Sequence, residues 1–267
     1  MRASVIVPNY RNDDTLGAAM ESLEHAAKQV RGEVEIIVIE DKAGKGLSWA
    51  RNQGLDRAKG EYVFFCDADD TVREDFFKRP IEELDRTQAD MCLFNNTQGQ
   101  LKRSYNLEGD QEVTRTLVPA FIGYGWKDLA RALMRPWRFF GELARHRESG
   151  SVCRAAFRRA MLETGPVRFN EHLFIYEDAP FMCECAIRSK RTASIPDVLY
   201  NYTPGEHGIV ARITGTEKHW AYKSEILRER ERLNRLSGGD LRRYYAASQI
   251  LGKLEFLLHS KRKFGIL

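Results

Sequence analysis

Long apolar runs are missing from this sequence. No stretch approaches the roughly 18 uninterrupted apolar residues of a membrane-spanning helix, so none is expected. The run that follows Met1-Arg2 stops at Pro8, too soon for the apolar core of a signal peptide. Cysteines number only five, an odd count that argues against a disulfide framework and for a reducing compartment. Cys183-x-Cys185 has neither a second pair nor a histidine at zinc spacing and reads as structural thiols. Charge of one sign is barely in excess: 42 Lys plus Arg against 38 Asp plus Glu gives +4, which does not make a dedicated nucleic-acid binder. Two glycine signatures are absent as well. No Gly-x-Gly-x-x-Gly follows the first apolar run, which weighs against a nicotinamide-binding enzyme. Ala43-Gly-Lys-Gly46 lacks the upstream glycine and trailing Ser/Thr of a phosphate-cradling Walker loop, and reads as a turn.

What is present is a regular alternation. A chain of 267 residues can bury a large α/β core with an appendage. Strands are predicted at 4–7, 33–39, 62–65 and 89–94. Between them fall helices from Asp13 or Asp14 (apolar at Leu16, Ala19, Met20 and Leu23), over 47–58, and over 73–86 with an interruption at Pro80. This order implies a mostly parallel sheet covered by helices on both faces. Ligands of such sheets bind beyond the carboxyl ends of the strands. Pro8-Asn9-Tyr10, Glu40-Asp41, and Asp67 with Asp69 all lie at such ends, so three separate strand ends point to one site.

The centre of that site is Glu61-Tyr-Val-Phe-Phe-Cys-Asp-Ala-Asp-Asp70, a buried-strand composition ending in three carboxylates. If the chain stays extended, Asp67 and Asp69 share a face. Carboxylates crowded there repel one another unless a cation sits between them, and hard oxygen ligands suit Mg2+ or Mn2+. The competing reading has Asp69 or Asp70 capping a helix from Arg73 onward.

Further along, 116–147 interleaves Trp126, Trp137, Phe139 and Phe140 with Lys127, Arg131, Arg135, Arg138, Arg145 and Arg147. Two short helices at 126–133 and 136–147 would lie on an anionic membrane, or pack over the site or against another subunit of a homo-oligomer. A helix is expected from Gly150 through Phe157, then an extended piece at 168–170. In Phe174-Ile-Tyr-Glu-Asp-Ala-Pro-Phe181, acids precede a helix over 179–189, where the dipole favours them in any case. Strands at 192–195 and 198–202 flank Pro196-Asp197. A charged helix over 217–236 and another over 241–259 precede the basic tail 261–267, which reads equally as a peripheral membrane contact or a frayed end.

Ser48-Trp-Ala-Arg-Asn-Gln-Gly-Leu-Asp-Arg-Ala-Lys-Gly-Glu61, taken with Ser4-Val-Ile-Val-Pro-Asn-Tyr10 and the Asp-rich strand end, resembles the family-2 inverting glycosyltransferases. The resemblance is dense over 3–75 and sparser over 150–203. It implies an α/β GT-A fold with a helical C-terminal extension. Residues 1–212 would form the glycosyltransferase domain, with a nucleotide-sugar half (1–97) and an acceptor half (98–212) that carries a helical insertion (116–148). Residues 213–267 would be the extension. The implied partners are a nucleoside-diphosphate sugar donor and a glycan or glycolipid acceptor, with no nucleic acid, at a cytoplasmic location or the inner face of the membrane.

Carried over residue by residue, Asp178 is the catalytic base and Glu177 a supporting or acceptor-binding acid. Pro8 and Tyr10 shape the nucleobase pocket, Asp41 bonds the base, and Arg51 reaches the base or the phosphates. Asp67 holds the ribose or the metal beside Ala68, Asp69 holds the metal, and His207 touches metal or phosphate. Three departures from the family pattern stand out. Asp41-Lys42-Ala43 replaces Asp-Gly-Ser, Thr203 replaces an Arg after Tyr200-Asn-Tyr202, and His207-Gly208-Ile209 replaces a serine motif. The rival readings are a catalytically silent scaffold or glycan-binding protein, and a nucleotidyltransferase. The last would open with a Gly-rich basic loop where this chain has Pro-Asn-Tyr.

Overall fold

The computed structural model describes residues 1–10, 12–101, 104–122, 151–173, 175–203 and 217–239. The amino-terminal half alternates as its periodicity requires: β1 (Ala3–Asn9), α1 (Asp13–Ala27), β2 (Val34–Glu40), α2 (Leu47–Arg57), β3 (Tyr62–Phe65), a two-residue β4 (Thr71–Val72), α3 (Lys78–Thr87) and β5 (Met91–Asn96). There follow β6 (Asn106–Glu108), α4 (Asp110–Ile122), β7 (Ala155–Arg158), α5 (Arg159–Glu163), α6 (Asp178–Arg188), β8 (Arg191–Asn201) and α7 (Glu217–Leu236).

The strand order is β2-β1-β3-β7-β5-β8-β4, with β6 also paired to β8. β1 is parallel to β2 and β3, and β5 is parallel to β8. β7 runs antiparallel between β3 and β5, so β1, β2, β3, β5 and β8 all point the same way across it. The register Val5↔Phe64 and Ile6↔Phe65 assigns the two faces. On one, Phe64 meets Phe76 and Phe77 with ring centroids 5.3 and 5.0 Å apart. On the other, Phe65 meets Phe157, Phe169 and Phe181 edge to face. Such pairs add to the area each ring buries.

The glycines of the 48–61 motif serve this packing. A Cβ on Gly54 would stand 2.2 Å from Ile6 Cγ2, and one on Gly60 would stand 2.3 Å from the Ala3 carbonyl carbon. Only a residue without a side chain lets α2 and the approach to β3 lie this close to β1.

Several elements depart from the sequence expectation. Residues 150–157 form no α-helix: a 3-10 turn at Val152–Arg154 leads into β7. Ala155, Ala156 and Phe157 are fully buried between β3 and β5, and ladder pairing on both sides overrides the helical preference of alanine. The helix expected from Arg73 starts at Lys78, because Phe76 and Phe77 turn inward onto Phe64. Pro80 then falls in the first turn of α3, where it removes no intrahelical bond. Asn12 rather than Asp13 or Asp14 occupies the position before α1. The strands expected at 192–195 and 198–202 are one strand, β8. Its pairing with β5 shifts register near Asn95, whose Nδ2 donates to the Pro196 carbonyl, and that irregularity accommodates the proline.

The five cysteines are all free and buried. α7 packs on α6 and sinks Leu233 to 1% exposure, so the described part of the C-terminal extension is joined to the domain. No described helix is long and apolar enough to cross a membrane. The helices expected at 126–133, 136–147 and 241–259, the 261–267 tail and His207 lie outside the described residues.

Candidate active site

The carboxyl ends of β1 and β2 are tied to each other. Asn9 Nδ2 donates to both oxygens of Glu40, at 3.0 and 3.1 Å, and the Asn9 carbonyl accepts from Asp41 N at 2.9 Å. Asp41 is 4% exposed, and its carboxylate caps the loop before α2: Oδ1 accepts from Lys45 N at 2.9 Å and Oδ2 from Gly46 N at 2.7 Å. Both oxygens therefore already serve the loop, leaving only their remaining lone pairs for a base. Pro8 is buried within β1 opposite Ile39. Tyr10 is exposed, with its ring over Gly44 of the same loop.

Beyond β3 the chain does not stay extended. Asp70 N donates to the Asp67 carbonyl at 3.2 Å, closing a turn over Asp67–Asp70, so strand alternation is not what relates Asp67 to Asp69. The turn sorts its four residues. Ala68 is buried, Asp67 is half-buried and Asp69 is exposed. Asp70 is 2% exposed and accepts from Tyr200 Oη at 2.5 Å and from Thr203 N at 2.6 Å. It caps no helix. Burial pushes its carboxyl up to about 7; the bonds from Tyr200 and Thr203 oppose the shift, and Asp67 and Asp69 add to it. Tyr200 Oη also accepts from Asp67 N at 3.1 Å, so one buried phenol fixes both ends of the turn. Burial and then the charge of Asp67 raise the pKa of Asp69.

That leaves Asp69, together with the Asp67 oxygen that Arg51 does not hold, for a cation. Among the described residues no group of three metal-ligating side chains occurs. A pair of hard carboxylates nonetheless fits Mg2+ or Mn2+, ions that commonly take one or two protein carboxylates and complete their shell with water and substrate phosphates.

Arg51 joins this turn to the second acidic motif. It projects from α2 and is 1% exposed, yet it meets three carboxylates. Nη2 donates to Asp67 Oδ1 at 2.9 Å; Nη1 donates to Glu177 Oε1 at 2.9 Å and to Asp178 Oδ1 at 2.5 Å. Its guanidinium lies 5.3 Å from the centre of the Phe169 ring. Burial alone would lower its pKa, but Asp178, Asp67 and Glu177 raise it well above the ordinary value, so it stays a cation.

The same helix face carries four further bonds, from Ser48 and Asn52, at the i, i+3, i+4 spacing of Ser48, Arg51 and Asn52. Ser48 Oγ donates to the Leu173 carbonyl at 3.0 Å. Asn52 Nδ2 donates to the Phe169 carbonyl at 3.0 Å and to Glu171 Oε1 at 2.9 Å, while its Oδ1 accepts from Phe169 N at 2.9 Å. α2 is therefore stitched to the segment that carries the acids. Just before them Tyr176 holds φ at +62°, a conformation non-glycine residues rarely adopt and one that concentrates at functional sites.

Asp178 is the first residue of α6, and its Oδ2 accepts from Val152 N at 3.3 Å. Its side chain is 23% exposed against 9% for Glu177, so it is the more accessible of the two acids. Burial raises its pKa; Arg51 opposes that, and Glu177 and Asp67 reinforce it.

The site expected from sequence thus assembles in part as one unit: Arg51, Asp67, Glu177 and Asp178 are in contact, with Ala68 and Asp69 in the adjoining turn. Pro8, Tyr10 and Asp41 lie in the neighbouring strand-end loops. Ser48, Asn52, Tyr176 and Tyr200 were not among the expected site residues. The helical spacing of Ser48, Arg51 and Asn52 is the signal that could have found the first two.

Residues 24–142 match the family described as Glycosyl transferase family 2. An uncharacterized glycosyltransferase of Bacillus subtilis, EpsJ, is 25% identical over 74% of this chain and 60% of its own. The succinoglycan biosynthesis protein ExoO of Rhizobium meliloti is 28% identical over 78% of this chain and 62% of its own. The chain thus spans about 60% of the length of these relatives. A crystal structure of Staphylococcus aureus TarS 1–349 in complex with UDP-GlcNAc superposes with a TM-score of 0.65 at 18% identity, covering 94% of this chain and 75% of that one. Motifs, topology and matches agree: residues 24–142 are similar to glycosyl transferase family 2, and the chain is built on the GT-A fold.

Proposed function

We propose that this chain is an inverting glycosyltransferase. It moves a sugar from a nucleoside-diphosphate donor, a UDP-sugar in the first instance, to a hydroxyl of a glycan or glycolipid acceptor. The observation that carries this reading is the Arg51 bridge, which holds a strand-end carboxylate suited to a donor, Asp67, and a helix-start acid suited to a base, Asp178, on one guanidinium. The UDP-GlcNAc bound by TarS supports the choice of donor, and the names of the relatives support a place in bacterial surface polysaccharide synthesis. That location favours the cytoplasmic side, with peripheral contact at the membrane.

In this reading Asp178 accepts the proton of the acceptor hydroxyl as it attacks the anomeric carbon, with Glu177 supporting it through Arg51. A single displacement inverts that carbon and requires no enzyme nucleophile. Asp67 and Asp69 would hold Mg2+ or Mn2+, whose chemistry is to offset the charge that develops on the departing diphosphate. Tyr10, Pro8 and Asp41 line the base side.

Calorimetric titration with UDP, GDP, TDP and CDP, each with Mn2+ and with EDTA, tests the donor site. Metal-dependent binding of UDP alone is expected. Binding of none of the four would replace this reading with that of a silent scaffold.

A further inference from the structure

Tyr200 lies near the end of β8 and Tyr202 follows directly after the strand, which ends at Asn201. Tyr200 is buried to 1% exposure beneath the Asp67–Asp70 turn, its hydroxyl bonded to Asp67 N and to the Asp70 carboxylate. Tyr202, one step nearer solvent, is 43% exposed and one of only a few large apolar side chains so placed among the described residues. An exposed tyrosine by itself carries no meaning. The backbone of this one, however, is fixed on both sides. Tyr202 N donates to Thr97 Oγ1 at 3.0 Å, Thr203 N donates to Asp70 Oδ1 at 2.6 Å, and Asn201 Nδ2 donates to Thr71 Oγ1 at 3.2 Å. The strand end is thereby clamped to the turn that carries the candidate metal carboxylates. After partial burial, the charges of Asp70, Asp69 and Asp67 all act on the phenol, which places it within electrostatic reach of that turn.

The arrangement sets a neutral hydrogen-bond donor on a rigid backbone at the rim of an acidic site. A diphosphate entering such a site gains from a donor that adds no competing charge. We propose that the Tyr202 hydroxyl donates a hydrogen bond to the terminal phosphate of the donor's diphosphate, where negative charge accumulates as the sugar leaves. This rests on the donor-site reading above and adds to it a residue outside the acidic motifs. It gives the two tyrosines separate tasks: Tyr200 fixes the turn, and Tyr202 meets the ligand.

The test compares the full chain with its Tyr202→Phe variant, titrating each with UDP and with UMP in Mn2+. Phenylalanine keeps the ring and removes only the hydroxyl, and equal thermal unfolding of the two proteins checks that the fold is intact. Loss of a hydrogen bond to a charged group is expected to weaken UDP by about tenfold or more, while UMP, which lacks the terminal phosphate, binds both proteins equally. Unchanged UDP affinity in Tyr202→Phe overturns the proposal, and so does equal weakening of UDP and UMP. In either case UDP binding by the wild-type chain leaves the donor site standing. Failure of the wild type to bind either nucleotide overturns the donor reading and this proposal together.

Discussion

Arg51 Nη1 lies 2.5 Å from Asp178 Oδ1 while Nη2 of the same guanidinium lies 2.9 Å from Asp67 Oδ1. One buried cation thus spans the strand end assigned to the donor and the helix start assigned to the acceptor, so neither acid can shift without the other sensing it. Arg51→Met should leave Asp67, Glu177 and Asp178 without their cation. Removing one partner of a buried ion pair costs about 3–5 kcal/mol, and urea unfolding should show a loss of that size. Arg51→Lys keeps the charge but not the fork, and should fall between wild type and Met.

The raised pKa of Asp178 sets a direction for pH dependence. A base must be ionised to accept a proton, and burial, opposed by Arg51 and reinforced by Glu177 and Asp67, moves its ionisation above the usual carboxylate range. Turnover should therefore rise with pH across a limb placed higher than an ordinary aspartate would give. Asp178→Asn should abolish transfer while UDP affinity persists. A variant with normal turnover would remove Asp178 from the base role.

Asp69 is the exposed member of the Asp-rich turn and is bonded to none of the elements that occupy Asp67 and Asp70. Asp69→Ala should leave thermal stability within about 0.5 kcal/mol of wild type, as is usual for surface changes. It should also abolish the Mn2+-dependent part of UDP binding. UDP affinity that responds to Mn2+ as in wild type would refute the metal role.

Much of the architecture was legible because it rests on local pattern. The buried run Tyr62–Phe65 and the charged helix Glu217–Leu236 match their expected bounds. The helix expected at 150–157 failed because Ala155 and Ala156 are strand residues only when β3 and β5 stand on either side, which is a long-range fact. The same limit applied within the site. Sequence placed Asp67, Asp178 and Arg51 in one site, but assigned Arg51 to the base or the phosphates. Its bonds to acids 16, 126 and 127 residues away are set by how α2 meets the loop before α6. The extended reading of Asp67-Ala-Asp69 failed for a related reason: Tyr200, 133 residues downstream of Asp67, pins the turn.

Two glycines that look alike in sequence should respond in opposite directions to alanine. Gly60 joins α2 to β3, where its N donates to Ser4 Oγ at 2.7 Å. An added Cβ there would lie 2.3 Å from the Ala3 carbonyl carbon, 2.4 Å from Ser4 N and 2.6 Å from Ala3 Cα. All three obstacles are backbone, so no side chain can rotate away; β1 or the start of β3 must move. Gly60→Ala should destabilise by at least the roughly 1–3 kcal/mol typical of overpacking. Because β1 ends in Asn9 and β3 leads into Asp67, it should weaken UDP binding as well. Gly17 instead lies within α1, and a Cβ there would meet nothing within 4 Å. Gly17→Ala should stabilise by about 0.5–1 kcal/mol, the gain expected for alanine over glycine inside a helix. Urea midpoints should therefore move down for Gly60→Ala and up for Gly17→Ala. A Gly60→Ala protein as stable as wild type would mean that the segment joining α2 to β3 does not hold the close approach to β1 on which the alignment of the strand ends depends.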